Sequence, residues 1–291
     1  MKKRTLMEPF QKRWITYTIS GNWDSLRPPL ILIHGLCEDH TVWDDIVPAL
    51  EPHGLVCCLD LPGFGESELP YEVGMEWYVW AIITIVQDHG IHRVALAGHS
   101  LGGYVALQAM TNMWNLLHGV ALIHSHPFQD TPERAESRRR SLEILEQGHK
   151  ELFVRQLFPN LFAPRFAQEH PDIVEKCIQM GLRQPTEGII TAIKAMQNRQ
   201  DHTETLNWFS IPVMAILGDE DKLVPLEETR RALEQARSRQ VHILEGVGHM
   251  SMFEAREALI ERLLQFWERL DICWPPPKKD DPGPSYSQIV G

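Results

Sequence analysis

The 291-residue sequence predicts an α/β fold, in which helices flank a mostly parallel sheet and a helical segment is inserted in the second half of the chain. Three observations lead to this expectation. Short apolar runs alternate with segments of helical period over the first 126 residues. The alternation stops between residues 127 and 208 and then returns. The apolar fraction of 43% and charged fraction of 23% are typical of a globular protein.

The first part of the chain predicts five strands and three helices. Residues 14–20 alternate apolar and polar side chains, as a half-buried strand does. Four apolar runs fit strands that are buried on both faces of a parallel sheet. These runs are residues 30–33, 55–59, 94–97 and 120–123. Helices are predicted at 41–50, 75–88 and 101–114.

Residues 127–208 are charged and helical, and proline and glycine divide them into pieces. Their apolar side chains need a surface to cover, so we expect a cap over the sheet. The sheet then resumes with strands at 213–217 and 241–244 and helices at 226–235 and 252–270. The expected organisation is therefore a core of residues 1–126 and 209–273 with a cap of residues 127–208. The proline-rich residues 274–291 are expected to be a disordered tail.

Charge and composition exclude several classes of function. Lys and Arg total 28 against 39 Asp and Glu, and a net charge of −11 argues against nucleic-acid binding. No apolar run approaches the roughly 20 residues of a membrane span, and no signal-peptide apolar region follows the basic N-terminus. The five cysteines show no zinc-binding spacing. We therefore expect a cytoplasmic protein without a metal site.

The pentapeptide Gly98-His99-Ser100-Leu101-Gly102 joins a predicted buried strand directly to a predicted helix. A serine at such a strained junction exposes its hydroxyl above the sheet, where it can act as a nucleophile. A helix-capping serine beside a glycine turn is the alternative interpretation. The strand–turn–helix context favours the nucleophile.

A serine hydroxyl needs a base, and His249 is the candidate because it follows the last predicted strand within Gly248-His249. Ligand-binding and catalytic groups of open α/β sheets gather at the carboxyl ends of strands. An acid should orient the imidazole, and Asp221 is preferred because its loop turns into the next helix. Asp219 is the second choice, and Asp130 is a more distant alternative.

The residues after the strand at 30–33 are candidates for an oxyanion hole. We expect the backbone N–H of Leu36, or alternatively of Cys37, to act together with the N–H of Leu101. The substrate site is expected to include the neighbouring residues. These are His34, Gly35, Cys37 and His99. His34 is expected to be hydrogen-bonded within the fold rather than to serve as a second base.

Five motifs, taken in order, resemble those of the α/β-hydrolase superfamily across about residues 14–270. They are His34-Gly35, residues 60–67 (DLPGFGES), residues 98–103 (GHSLGG), residues 218–221 (GDED) and Gly248-His249. The resemblance implies an eight-stranded, mostly parallel core with a cap inserted after the sixth strand. Ser100 stands where epoxide hydrolases and haloalkane dehalogenases of this fold carry aspartate and dienelactone hydrolases carry cysteine.

Together these residues predict a serine hydrolase that cleaves a carboxylic ester of a small acyl substrate through Ser100, His249 and Asp221, without a cofactor. The alternatives on the same triad are C–C bond hydrolysis, lactone opening, thioester hydrolysis and perhydrolysis. A small-molecule receptor that retains the fold without turnover is a further alternative. The oligomeric state is not predicted.

Overall fold

The computed structural model describes residues 2–6, 13–209, 211–235 and 239–270. Eight strands form one sheet in the spatial order β1-β2-β4-β3-β5-β6-β7-β8. Their bounds are β1 Lys2–Leu6, β2 Arg13–Gly21, β3 Leu30–Ile33, β4 Leu55–Asp60, β5 Val94–His99, β6 Leu117–Ile123, β7 Val213–Gly218 and β8 Arg239–Leu244. The predicted α/β-hydrolase fold is confirmed.

Twelve α-helices accompany the sheet in the described part of the chain. They are α1 Val47–Leu50, α2 Met75–Asp88, α3 Leu101–Asn112, α4 Pro132–Glu146, α5 Lys150–Leu157, α6 Pro164–Glu169, α7 Pro171–Arg183, α8 Thr186–Gln197, α9 Thr205–Trp208, α10 Leu226–Gln235, α11 Ser251–Glu254 and α12 Arg256–Glu268. No helix among the described residues has the length and apolar character needed to cross a membrane.

The parallel part of the sheet lies at the centre of the core. Strands β3 to β8 pair in parallel, whereas β1 and β2 add an antiparallel edge. Every residue of β3 to β7 is buried, which explains why those strands appear in the sequence as continuous apolar runs. The carboxyl ends of these parallel strands therefore meet along one edge of the sheet.

The structure departs from the predicted elements in two helices. The segment predicted as a helix at 41–50 contains a 3-10 helix at His40–Trp43 and then the single turn α1, with Pro48 in that turn. The predicted final helix is divided at Ala255, whose φ of −146° and ψ of 49° end α11 before α12 begins. Strand β1 was not predicted, and the proline-rich tail lies outside the described residues.

Six helices, α4 to α9, lie between β6 and β7, and we refer to them as the inserted helices. Gln184 attaches them to the core, because its side chain donates to Asp39 Oδ2 at 2.9 Å and accepts from the Gly65 N–H at 2.8 Å. A Cβ atom on Gly188 of α8 would lie 1.8 Å from the Gly63 carbonyl oxygen. Only glycine therefore allows this close approach of α8 to the loop after β4.

Candidate active site

Ser100 occupies the sharp turn between β5 and α3. Its backbone has φ of 50° and ψ of −110°, a left-handed conformation that non-glycine residues rarely adopt. The turn is held by a hydrogen bond from the Ser100 N–H to the Ile123 carbonyl at 2.9 Å. A Cβ on Gly98 would come within 2.1 Å of the Gly102 carbonyl oxygen. Gly98 therefore has no room for a side chain, two residues before a serine that lines the cavity above the sheet.

His249 and Asp221 meet at the carboxyl end of the sheet. His249 Nδ1 lies 2.6 Å from Asp221 Oδ2, and both side chains are almost completely buried. The other carboxylate oxygen of Asp221 accepts from the N–H groups of Leu223 at 2.7 Å and Val224 at 3.2 Å. Burial would raise the pKa of Asp221, but His249 and His124 hold that pKa well below its ordinary value. Asp221 is therefore a carboxylate fixed in place against one imidazole nitrogen.

The two other carboxylates considered from the sequence have different partners. Asp219 is exposed, and its Oδ1 accepts from the Gly246 N–H at 2.7 Å. Asp130 is bound by Arg138 and Arg199, each at 2.6 Å. The structure therefore brings Asp221, and neither alternative, to His249.

A cavity of about 420 Å³ opens above Ser100, between the sheet and the inserted helices. Ser100, His249, Leu36 and His99 line it from the core side. Apolar side chains of the inserted helices line part of the other side. These are Phe153, Leu157, Leu161, Ile193 and Met196. A concave site that combines apolar side chains with polar groups is the usual form of a small-molecule site.

Three residues predicted to contact substrate, His34, Gly35 and Cys37, are not among those that line this cavity. His34 is fully buried, donates from Nδ1 to the Gly35 carbonyl at 2.8 Å and accepts from the Leu61 N–H at 2.9 Å. Burial lowers the pKa of His34, in keeping with a neutral ring. Cys37 is also fully buried, and burial raises the pKa of its thiol. These residues therefore belong to the buried side of the loop after β3, away from the cavity.

His99 forms a second buried histidine–carboxylate pair that sequence reasoning missed, because Glu38 was not recognised as its partner. His99 Nδ1 lies 3.0 Å from Glu38 Oε2, and that oxygen also accepts from the Gly35 N–H at 2.6 Å. His99 Nε2 donates to the His249 carbonyl at 2.8 Å. With Glu38 ionised, both ring nitrogens of His99 face acceptors, which is the arrangement of a doubly protonated imidazolium.

The electrostatics of this pair agree with an ion pair. Burial alone would lower the pKa of His99, but the Glu38 carboxylate and the His249 carbonyl raise it above its ordinary value. Burial would likewise raise the pKa of Glu38, whereas His99 lowers it. The only sequence signal for this pair was a carboxylate three residues after Gly35.

His124 is a third histidine beside the same site, immediately after β6. Its Nδ1 lies 3.3 Å from Asp221 Oδ2 without the alignment of a hydrogen bond, and its ring is fully buried. Burial lowers the pKa of His124 to about 4, so the ring is neutral at neutral pH.

Ligand atoms of His124, Asp221 and His249 lie within 4.8 Å of one another, so these residues are also a possible metal-binding group. Two ligands of a tetrahedral zinc ion stand about 3.3 Å apart. The 2.6 Å contact between His249 and Asp221 is shorter than that and has the length of a charge-assisted hydrogen bond. The geometry therefore favours an oriented imidazole over a metal centre.

Comparisons with known proteins agree with this fold. A family model described as the alpha/beta hydrolase fold matches residues 28–256. A pimeloyl-(acyl-carrier protein) methyl ester esterase from Aeromonas hydrophila is 27% identical over 245 residues, which cover 82% of this chain and 95% of that protein. A thermophilic esterase from Thermogutta terrifontis has a TM-score of 0.85 at 26% identity, covering 92% of this chain and 99% of that one.

Another relative is longer than this chain. The dihydrolipoyllysine-residue acetyltransferase component of an acetoin-cleaving system from Pseudomonas putida is 25% identical over 249 residues. The match covers 82% of this chain but 63% of that protein, so the chain spans less than two thirds of that relative's length. The matched family segment contains Ser100, Asp221 and His249, and the chain belongs to the α/β hydrolase fold family.

Proposed function

We propose that this protein hydrolyses a carboxylic ester through a covalent acyl-enzyme formed on Ser100. One observation carries the proposal. Ser100, in a left-handed turn, and His249, held at Nδ1 by Asp221, face the same cavity. An exposed serine, a buried histidine and a carboxylate that fixes the tautomer are the three groups that acyl transfer needs.

In this mechanism His249 accepts the Ser100 proton at Nε2 as the hydroxyl oxygen attacks the ester carbonyl. His249 Nε2 is buried and has no hydrogen-bond partner among the described residues. The nitrogen is therefore available to accept a proton and to return it to the leaving alcohol. Asp221 stabilises the imidazolium that forms, and a water deprotonated by His249 then releases the acid.

The negative charge of the tetrahedral intermediate needs hydrogen-bond donors. Leu101 begins α3, where backbone N–H groups have no acceptor within the helix and the helix dipole favours negative charge. Leu36 lines the cavity from the loop after β3. We assign the N–H groups of Leu101 and Leu36 to the oxyanion hole, which typically contributes about 10²–10³ in turnover per donor.

The inserted helices act as the cap in this proposal. They supply most of the apolar wall, and their hydrogen bonds through Gln184 hold that wall against the core. Such a wall would bind the acyl chain and exclude water from the acyl-enzyme.

The test compares wild type with Ser100→Ala on p-nitrophenyl acetate, butyrate and octanoate, together with labelling by a fluorophosphonate probe. We expect hydrolysis and labelling to disappear together in the variant. Ser25→Ala is the matched control, because Ser25 lies in the loop before β3, at the other end of the parallel strands, and both signals should persist there.

The other outcomes separate the alternatives. Labelling of wild type without ester turnover would contradict the ester proposal and favour a different acyl bond or a receptor. Neither labelling nor turnover in a folded protein would contradict the nucleophilic role of Ser100.

A further inference from the structure

Helix α4 turns a polar face into the cavity. Five of its residues line the cavity, and four of these lie at helical spacing, namely Arg134, Ser137, Arg138 and Ser141. The facing wall from α5 and α8 is apolar, with Phe153 and Ile193 among its members. A cavity that binds only an alkyl chain would not need two guanidinium groups one helical turn apart, because an alkyl chain offers them no hydrogen-bond acceptor.

The donors of Arg138 are only partly satisfied. Its Nε and Nη2 donate to Asp130 Oδ2 at 2.6 Å and Asp130 Oδ1 at 3.4 Å, but the partner of its Nη1 is the thioether sulfur of Met196 at 3.3 Å. Arg199, which is buried, also donates to Asp130 Oδ1, at 2.6 Å. One carboxylate therefore serves two guanidinium groups, and a thioether is a weak acceptor for the remaining N–H.

Arg134 has no carboxylate partner among the residues that the structure describes. Its side chain donates to the Leu223 carbonyl. The adjacent Glu133 also lines the cavity, but its carboxylate hydrogen-bonds to Thr131 and to its own backbone at the start of α4, which lowers its pKa. Arg134, partly buried at the cavity wall, thus keeps a positive charge that the neighbouring groups leave unpaired.

We propose that Arg134 and Arg138 form a carboxylate-binding subsite and that the substrate is a half-ester of a dicarboxylic acid. The proposal rests on the ester hydrolysis proposed above and specifies its acyl group. Ser100 attacks the ester end of the acyl chain, and the free carboxylate at the far end accepts hydrogen bonds from the two guanidinium groups. Arginine is suited to this role because its planar fork matches a carboxylate.

The experiment compares monomethyl adipate with methyl hexanoate, two esters whose acyl chains differ only in the terminal carboxylate. We expect wild type to have the higher kcat/KM for the half-ester. In Arg134→Gln the ratio of the two kcat/KM values should fall about tenfold to a hundredfold, the effect typical of a lost charge-assisted hydrogen bond. Arg139→Gln is the matched control on the same helix, since Arg139 is exposed, pairs with Glu136 and Glu143, and should retain the wild-type ratio.

A binding measurement keeps the subsite and the hydrolysis distinguishable. Calorimetry should show adipate binding more tightly than hexanoate to Ser100→Ala, with the difference lost in Ser100→Ala/Arg134→Gln. Turnover of both esters with an unchanged ratio in Arg134→Gln would overturn the subsite and leave ester hydrolysis standing. Absence of turnover and probe labelling would overturn the hydrolysis, and adipate binding that depends on Arg134 would still support the subsite. Equal binding of adipate and hexanoate to Ser100→Ala would overturn the carboxylate-binding subsite.

Discussion

Two buried histidine–carboxylate pairs stand side by side in this protein, and they differ in what the second ring nitrogen does. His249 and His99 both direct Nδ1 at a carboxylate, Asp221 at 2.6 Å and Glu38 at 3.0 Å. Their rings lie 5.0 Å apart. His99 Nε2 is committed to the His249 carbonyl, whereas His249 Nε2 has no partner among the described residues.

This difference shows that a buried histidine–carboxylate pair is not enough to identify a catalytic base, because the second ring nitrogen must also be available. Both ring nitrogens of His99 are engaged, so neither can accept a proton from a reacting group, and the bond to the His249 carbonyl holds the backbone of that residue. His249 keeps one nitrogen available, so it can exchange a proton with a reacting group.

The largest effect should come from Asp221→Asn. An asparagine there can no longer fix the imidazole tautomer, and we expect kcat for ester hydrolysis to fall about 10⁴-fold. Steady-state kinetics on p-nitrophenyl butyrate would measure the loss. Asp219→Asn in the same loop is the control and should stay close to wild type. A similar loss in both variants would mean that the loop, rather than the carboxylate, is what matters.

Glu38→Gln should weaken folding more than it weakens chemistry. It leaves the buried His99 imidazolium without its counter-charge, and breaking such a pair typically costs about 3–5 kcal/mol of unfolding free energy. We expect kcat to fall roughly tenfold to a hundredfold through misplacement of His249. Urea unfolding and kinetics would measure the two effects.

The control for Glu38→Gln is Glu268→Gln, because Glu268 lies 3.7 Å from the half-exposed His53. An exposed pair of this kind should contribute less than about 1 kcal/mol. Equal destabilisation by the two substitutions would contradict the importance assigned to the buried pair.

The stabilising effect of Glu38 should depend on pH in a predictable direction. The pKa of Glu38 is lowered from 4.5, so its contribution is complete above that value and is lost as pH falls through the folded-state pKa. The pKa of His99 is raised from 6.5, so its contribution is complete below that value and is lost as pH rises through the folded-state pKa.

The difference in unfolding free energy between wild type and Glu38→Gln should therefore be greatest between about pH 4.5 and 6.5. Urea titrations at acidic, intermediate and alkaline pH would measure it. A difference that is the same at acidic, intermediate and alkaline pH would rule out an ion pair between Glu38 and His99.

His124→Phe should have the smallest effect. The His124 contact to Asp221 is 3.3 Å and poorly aligned, and neither buried ring nitrogen has a hydrogen-bond partner among the described residues. We expect kcat to fall less than about tenfold and thermal stability to be unchanged or higher, since a poorly satisfied buried ring is removed. A loss as large as that in Asp221→Asn would instead place His124 among the groups essential for turnover.

Local patterns predicted much of this structure. The fully buried strands were recognisable as continuous apolar runs, and the position of Ser100 followed from a strand, a glycine turn and a helix in succession. The pairing of His249 with Asp221 could be predicted because both residues follow strands whose carboxyl ends meet at the same edge.

What the sequence did not predict depends on contacts between distant segments. Glu38 and His99 are separated by 61 positions, and no local pattern connects them. The direction in which Arg134 and Arg138 point depends on how α4 packs over the sheet, which a charged helix does not specify. The break at Ala255 also lies inside a segment whose residues have good helical propensity.

The backbone at Ser100 has a further consequence for engineering. A serine with φ of 50° and ψ of −110° carries a conformational cost of about 1–3 kcal/mol that glycine would avoid. Ser100→Gly, which removes the proposed nucleophile, should therefore produce an inactive protein that is harder to unfold than the wild type, so selection for thermostability alone would favour loss of this serine. Stabilisation of this scaffold is best sought in regions away from the turn.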